Sequence, residues 1–148
     1  MDFIRLRQVT YTLKNKKQLF DCLNFDIDQE EFVSLIGENG CGKTTLTKII
    51  IGTIKPNQGE VYLDDKNIKS YKLFEVGQKI GYLFQNPDIQ LFNPTIEDEL
   101  LFSSTYIKDL EEDAYTRFKE VVMMLSLEEC LQTNIQKLSQ GEKQRVAI

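Results

Sequence analysis

The sequence predicts an α/β protein, in which strand patterns dominate the first part and helical patterns the second. Apolar and polar residues alternate over Phe3–Arg7 and Leu23–Ile27, as in antiparallel strands with one buried face. The glycine-rich stretch Gly37–Thr44 separates an apolar run from a helical pattern, and helical spacing prevails toward the end of the chain. We therefore expect an α/β core with an antiparallel β subdomain over residues 1–86, and a helical subdomain over residues 87–148.

Further strands are expected in the α/β core. Val9–Leu13 repeats the alternating pattern, and Gly59–Leu63 is a short strand closed by a turn at residues 64–67. Phe32–Ile36 is mostly apolar, which predicts a buried strand, and Ile80–Phe84 predicts another short apolar strand.

Helices are predicted by spacing and by their start and stop signals. Leu46–Ile51 has helical spacing until Gly52 stops it. Thr95 with Asp98 resembles a capping box, so we expect a helix to begin there. A later helix is predicted by apolar residues that share one face: Ala114, Phe118, Val121, Val122 and Leu125.

Composition excludes several classes of function. The net charge of −5 argues against binding of nucleic acid, which usually requires a basic face. The absence of histidine excludes any histidine-based mechanism within these residues. Cys22, Cys41 and Cys130 are far apart in sequence, so we expect reduced thiols and no zinc site. No apolar run approaches the about 20 residues of a membrane span, so a role at a membrane would need a partner.

The stretch Gly37–Thr44 reads GENGCGKT and fits the phosphate-binding P-loop pattern GxxxxGK[ST]. It follows a predicted strand and opens a predicted helix, which is the context that this motif requires. The alternative is an ordinary glycine-rich turn with a surface lysine, and that context disfavours it.

Each residue type in the loop suits the binding of a triphosphate. Gly40 and Gly42 let the backbone curl so that its amides and the helix N-terminus face the phosphates. Lys43 adds a positive charge at the β- and γ-phosphates, Thr44 offers a hydroxyl to Mg²⁺, and Thr45 would lie near the α-phosphate. The predicted nucleotide-binding residues of the loop are Gly37, Glu38, Asn39, Gly40, Cys41, Gly42, Lys43, Thr44 and Thr45.

A second motif lies near the end of the chain, in LSQGEKQ. Ser139 and Glu142 form a capping box, which predicts that a helix begins at Ser139. Gly141 leaves the first turn of this helix open, and a helix N-terminus with a serine hydroxyl suits an anion. Taken alone, the motif is better explained as a plain capped helix.

The P-loop, a glutamine at position 85 and LSQGE occur in an order that resembles the ATP-binding cassette (ABC) ATPases. Gly37–Thr44 matches the Walker A motif, Gln85 matches the Q-loop, and Leu138–Glu142 matches the signature motif, most often LSGGQ. The resemblance covers essentially the whole chain. It implies a P-loop NTPase core of ABC type with an antiparallel β subdomain and an α-helical subdomain.

The resemblance also implies roles for individual residues. Lys43 and Gln85 would be catalytic, and Thr44 and Gln85 would be metal ligands. The cofactors would be ATP and Mg²⁺. ATP would lie between the Walker A motif of one domain and Ser139 and Gly141 of a second, so that binding closes a head-to-tail dimer and hydrolysis reopens it.

Residues 85–99 read QNPDIQLFNPTIEDE and resemble the ATPases of energy-coupling factor importers, which take up vitamins and transition-metal ions. This resemblance implies a transmembrane transporter subunit docking near residues 86–99 and a second ABC ATPase subunit, identical or different. It places the protein at the cytoplasmic face of the cell membrane as a peripheral subunit. The transported solute would be set by a component outside this chain.

The sequence departs from the family pattern in places. Leu13 occupies the position where the family usually stacks adenine on an aromatic ring, and Gln140 replaces the first glycine of the signature pair. Nothing in the sequence matches the Walker B strand and its catalytic glutamate, which follow the signature helix in the family. We therefore expect the chain to end inside its domain, before Walker B, and to be inactive alone.

Other functions remain open from the sequence. The chain could be a truncated fragment that binds ATP without hydrolysing it. It could also be a soluble, non-transport ABC ATPase of DNA repair or translation. The acidic charge and the short interval between Lys43 and Ser139 disfavour that class.

Overall fold

A computed structural model of the chain describes residues 2–102 and 111–148, without the side chains of residues 2 and 111–114. These residues form two compact units, Met1–Tyr82 and Leu83–Ile148. Within the described ranges, none of the helices is both long enough and apolar enough to cross a membrane.

The first unit is built on a four-stranded antiparallel sheet, with strand order β2-β1-β3-β4. The strands predicted at residues 3–7 and 9–13 are one long strand, β1, with a bulge at Gln8, whose φ is 51°. Leu6 and Val9 are three positions apart and would face opposite sides of a regular strand, but the bulge lets both be fully buried. The strands are β1 (Asp2–Thr12), β2 (Gln18–Asp28), β3 (Gln58–Leu63) and β4 (Lys66–Asn67).

The start and stop signals read from the sequence agree with the observed helices. The first helix ends just before Gly52, whose φ is 74°. Thr95 accepts a hydrogen bond from the amide of Asp98 at 3.2 Å and so caps the third helix. The helices are α1 (Lys43–Ile50), α2 (Leu73–Gly77), α3 (Ile96–Phe102), α4 (Glu111–Met124) and α5 (Gln140–Ala147).

The predicted apolar face of α4 is only partly right. Val122 is buried in the core of the second unit. Phe118 and Leu125 are partly buried and pack against this core. Val121 is 40% exposed, because it lies beside the buried stripe rather than within it. The side chain of Ala114 lies outside the described residues.

Each unit has its own apolar core. In the first unit, Leu46 and Ile49 of α1 pack on buried residues of the sheet, which fixes the start of α1 over it. In the second unit, α5 contributes Val146 and Ala147 to the core. The remaining buried residues of the second core are Leu91, Ile96, Val122, Leu127, Ile135 and Leu138.

The strands predicted at Phe32–Ile36 and Ile80–Phe84 are wrong for this chain. Neither segment has regular secondary structure, and Phe32 and Ile36 are 93% and 91% exposed. A strand needs a neighbour to complete its hydrogen-bond ladder, and no strand of the described residues pairs with either segment. The apolar pattern shows which residues favour burial, but it does not supply the partner.

Two leucines of the first unit test the position of its core. Leu63 is fully buried in β3, whereas Leu73 in α2 is 63% exposed. We expect Leu63→Ala to lower the free energy of unfolding by about 2–5 kcal/mol, because it leaves a cavity. Leu73→Ala, the matched control, should change it by less than about 0.5 kcal/mol. Urea unfolding checks both, and equal losses would contradict the described core.

Candidate functional site

The glycine-rich loop turns tightly into α1. Gly40 and Gly42 have φ values of 81° and 111°, in the left-handed region that glycine adopts at little cost. Gly42 is also the N-cap of α1, and no side chain of the described residues caps that helix. The first amides of α1 therefore keep their capacity to donate hydrogen bonds to an anion.

Side chains pack closely against two glycines of the loop. A Cβ at Gly37 would lie 2.8 Å from the sulfur of Cys41, and one at Gly42 would lie 3.0 Å from the ring of Phe20. The amide of Cys41 donates to the carbonyl oxygen of Glu38 at 3.3 Å, which closes the turn. Cys41 thus acts as a spacer that fills the loop.

The ammonium of Lys43 lies inside the curve of the loop. Its Nζ donates to the carbonyl oxygens of Gly37 at 2.7 Å and Glu38 at 2.8 Å, and lies 3.9 Å from the sulfur of Cys41. A positive charge is therefore held next to the free amides at the start of α1. This combination of donors is suited to phosphate groups.

The threonines of the first turn of α1 differ in exposure. Thr44 is exposed, so its hydroxyl is available for a metal or a phosphate, and Thr45 is half-buried. Thr47 donates to the carbonyl oxygen of Thr44 at 3.0 Å and contacts the hydroxyl of Tyr82 at 3.2 Å. The amides, the ammonium and the exposed hydroxyl form a donor set that fits a nucleotide with Mg²⁺.

Other predicted site residues lie in less regular backbone. Glu38 and Asn39 are exposed at the tip of the loop. Gln85 is exposed and belongs to the second unit, just before a 3₁₀ turn at Pro87–Ile89. The contact of Gln85 with a nucleotide stays a prediction.

The second motif caps α5 as its sequence predicts. Ser139 is the N-cap, its hydroxyl donates to Glu142 Oε2 at 2.7 Å, and its amide donates to the same oxygen at 2.8 Å. The hydrogen bond from the Ser139 hydroxyl, followed by that from its amide, lowers the pKa of Glu142. Gly141 is exposed, and a Cβ there would meet no atom within 4 Å, so the first turn of α5 is open.

Comparison with known proteins identifies the family. The sequence model of the ABC transporter family matches residues 20–148. This range contains the glycine-rich loop, Gln85 and the capped helix α5. The chain belongs to the ABC transporter family.

Individual ABC relatives match the chain along almost its whole length. It is 37% identical over 153 residues to the energy-coupling factor transporter ATP-binding protein EcfA2 of Clostridium acetobutylicum, which covers 98% of this chain and 54% of that protein. It is 36% identical to a putative ABC transporter ATP-binding protein of Caldanaerobacter subterraneus, over 98% of this chain and 26% of that protein. The chain therefore spans only part of the length of these relatives.

A solved ABC structure has a similar fold. CbiO1 from Clostridium perfringens, described as part of the ABC transporter complex cbiONQ, superposes with a TM-score of 0.83 at 26% identity. The superposition covers 99% of this chain and 59% of that one. The α/β ABC fold predicted from the sequence is thereby confirmed.

One residue beside α5 is not indicated by the sequence patterns. Asp88 accepts a hydrogen bond from Lys143 Nζ at 2.6 Å and another from Gln140 Nε2 at 2.9 Å. The bond from Lys143, and then that from Gln140, lowers the pKa of Asp88. These partners are more than 50 residues apart in sequence, so no local pattern indicates the contact.

The capping box of α5 gives a prediction about acid. The pKa of Glu142 is lower in the folded chain than in the unfolded chain. Its ionised carboxylate therefore stabilises the fold fully above the ordinary glutamate pKa of about 4.3. This stabilisation is lost as the pH falls through the lowered pKa of the folded chain. We expect Glu142→Gln to reduce stability at pH 7 and to remove this part of the loss in acid. Urea unfolding at pH 7 and below pH 4 checks both expectations.

The exposed residue Glu120 on α4 provides the control for this prediction. Glu120→Gln, an exposed change on another helix, should leave the free energy of unfolding at pH 7 as in the wild type. Ser139→Ala should cost about 1 kcal/mol at pH 7, the usual value of an N-cap. An unchanged acid response in Glu142→Gln would show that the capping box does not stabilise α5.

Proposed function

We propose that this chain is the ATP-binding part of an ABC transporter of the energy-coupling factor type. In this role it would couple the binding and hydrolysis of MgATP to the import of a small solute, a vitamin or a metal ion. The observation that carries the proposal is the ammonium of Lys43, held inside a loop whose turn needs left-handed backbone at Gly40 and Gly42. Family membership and the similarity to EcfA2 support it.

The residues of the loop would hold the nucleotide through charge and hydrogen bonds. Lys43 would exchange its bonds to loop carbonyls for the β- and γ-phosphates, and Thr44 with Gln85 would ligate Mg²⁺. When bound, ATP supplies the phosphoanhydride bond that is hydrolysed. Lys43 and Gln85 would act on that bond by stabilising charge and by orienting the attacking water.

Ser139 and Gly141 would serve a second nucleotide-binding subunit. The open first turn of α5 and the serine hydroxyl at its N-terminus suit a phosphate bound to the Walker A motif of a partner. That partner would be another ABC ATPase subunit, either identical or different. To bind this phosphate, the Ser139 hydroxyl would have to turn away from Glu142.

We also propose that these 148 residues, when isolated from any other part of a transporter, bind MgATP without hydrolysing it. They contain no match to the Walker B strand and catalytic glutamate of the family, so no side chain is assigned to activate water. Turnover by the purified 148-residue chain above background would refute this part of the proposal.

The two parts of the chain would divide the work. Residues 1–86 would form the nucleotide-binding core, and residues 87–148 would form the helical subdomain that meets the membrane subunit near residues 86–99. Ile89 and Phe92 in that stretch are 69% and 66% exposed, as expected of apolar residues that a partner covers. The similarity to CbiO1, part of a transporter complex, supports a peripheral position at the cytoplasmic face of the membrane.

The role of Lys43 is tested by binding to the chain itself. We expect Lys43→Ala to weaken MgATP binding about 30-fold or more, because it removes the only side-chain charge assigned to the phosphates. Isothermal titration calorimetry measures the dissociation constant. Lys48→Ala, on the same helix outside the motif, should bind as the wild type does. Equal affinities in wild type and Lys43→Ala would contradict the nucleotide site.

The membrane partner is tested by co-purification. We expect the protein, as its gene expresses it, to co-purify with a protein that mass spectrometry identifies as having several transmembrane helices. Ile89→Glu and Phe92→Glu should abolish this association, because a charge would be buried in an apolar contact. Met124→Glu is the control, since Met124 is 81% exposed and lies outside residues 86–99. Undiminished association in both variants would show that the membrane protein contacts another part of the chain. If no membrane protein co-purifies with the wild type, the result would favour a soluble ABC ATPase.

A further inference from the structure

The segment 84–90 contacts helix α5 at two places, in its first turn and at Ala147. At the N-terminal end, the carboxylate of Asp88 uses one oxygen for Lys143 Nζ at 2.6 Å and the other for Gln140 Nε2 at 2.9 Å. Both donors belong to the first turn of α5. Two bonds to separate oxygens fix the carboxylate in one orientation.

Gln90 makes the second attachment, at Ala147. Its Nε2 donates to the carbonyl oxygen of Ala147 at 2.7 Å, and its Oε1 accepts from the amide of Phe84 at 3.3 Å. Ala147 is buried and Gln90 is half-buried, so these bonds compete little with water.

Two attachments at separate points restrict the orientation of a helix more than one does. The residues Gln140–Ala147 of α5 span about 12 Å, and the two attachments lie in the first turn and at Ala147. In the ion pair of Lys143 with Asp88, the lysine side chain is 13% exposed to solvent and the aspartate side chain is 44% exposed. Water therefore weakens this pair less than it weakens a fully exposed pair.

We infer that Asp88 is a positioning residue for Ser139. Its carboxylate holds Gln140 and Lys143, which lie one and four positions after Ser139 in the first turn of α5. Asp88 is itself held by the segment before it, because Asn86 accepts a hydrogen bond from the amide of Asp88 at 3.0 Å. This inference rests on the proposed function, in which Gln85 and Ser139 act on bound nucleotides.

The inference gives a role to the unusual residue of the signature motif. A glycine at position 140, as in LSGGQ, has no side chain to reach Asp88, whereas Gln140 supplies an amide that does. Gln140 and Lys143 then hold the same carboxylate from one helical turn. In this chain the substitution strengthens the attachment of α5.

Hydrogen exchange tests the attachment directly. In Asp88→Ala, we expect the amides of α5 to exchange roughly five- to tenfold faster than in the wild type, because charge-assisted hydrogen bonds are lost. The amides of α1 should be unchanged. The matched control is Asp64→Ala, which removes an ion pair to Lys79 of similar length, 2.7 Å, in the first unit. Unchanged α5 exchange in Asp88→Ala would overturn the inference.

Graded variants separate the contacts of Asp88. Asp88→Asn keeps an oxygen for the Gln140 amide but removes the charge, so its α5 exchange should lie between wild type and Asp88→Ala. Gln140→Gly removes only one bond and should also be intermediate. Two results together would overturn the contribution of Gln140. The amides of α5 would exchange as fast in Asp88→Asn as in Asp88→Ala, and they would exchange at the wild-type rate in Gln140→Gly.

Kinetics separates positioning from a purely structural role. In the protein as its gene expresses it, Asp88→Ala should lower kcat for MgATP several-fold while the dissociation constant of MgATP stays the same, and Asp88→Asn should restore part of kcat. A wild-type kcat with faster α5 exchange would overturn the positioning role. Absence of MgATP binding in the wild type would instead refute the proposed function, and the exchange comparison would still decide whether Asp88 holds α5.

Discussion

The proposed nucleotide site depends on the contact between the ammonium of Lys43 and the carbonyl oxygens of Gly37 and Glu38. The charge is held there because Lys43 begins α1, and α1 is fixed by Leu46 and Ile49 in the core of the sheet. The loop reaches back to Lys43 because Gly40 and Gly42 adopt left-handed backbone. Core packing, backbone freedom and charge thus converge on one place, which is why the surrounding amides suit an anion.

The second unit solves a similar problem by a different means. In the second unit, the N-terminus of helix α5 is capped by side chains of the chain itself. Ser139 and Glu142 form this capping box through reciprocal hydrogen bonds. Asp88 and Gln90 hold the helix from outside, at its first turn and at the carbonyl of Ala147. In the proposed function, the first unit would bind phosphate through its loop, and the second would present the capped N-terminus of α5.

The sequence predicted local features well and long-range ones poorly. The P-loop and both capping boxes were readable because their partners lie within a few residues. The strands at residues 32–36 and 80–84 were wrong, since an apolar run does not say whether a pairing strand exists. The bulge that joins two expected strands into β1 and the contact of Asp88 with α5 also depend on distant residues. The roles of Gln85 and Ser139 in binding nucleotide stay predictions.

The most direct measurement of the central claim is the amide NMR spectrum of the chain during titration with MgATP and, separately, with inorganic tripolyphosphate. If the loop binds phosphates, the amides of Gly40, Gly42 and Lys43 should shift saturably with both ligands, because both carry the groups that the loop contacts. Saturable shifts confined to other parts of the chain, or no shifts at millimolar ligand, would contradict the claim that this loop is the nucleotide site.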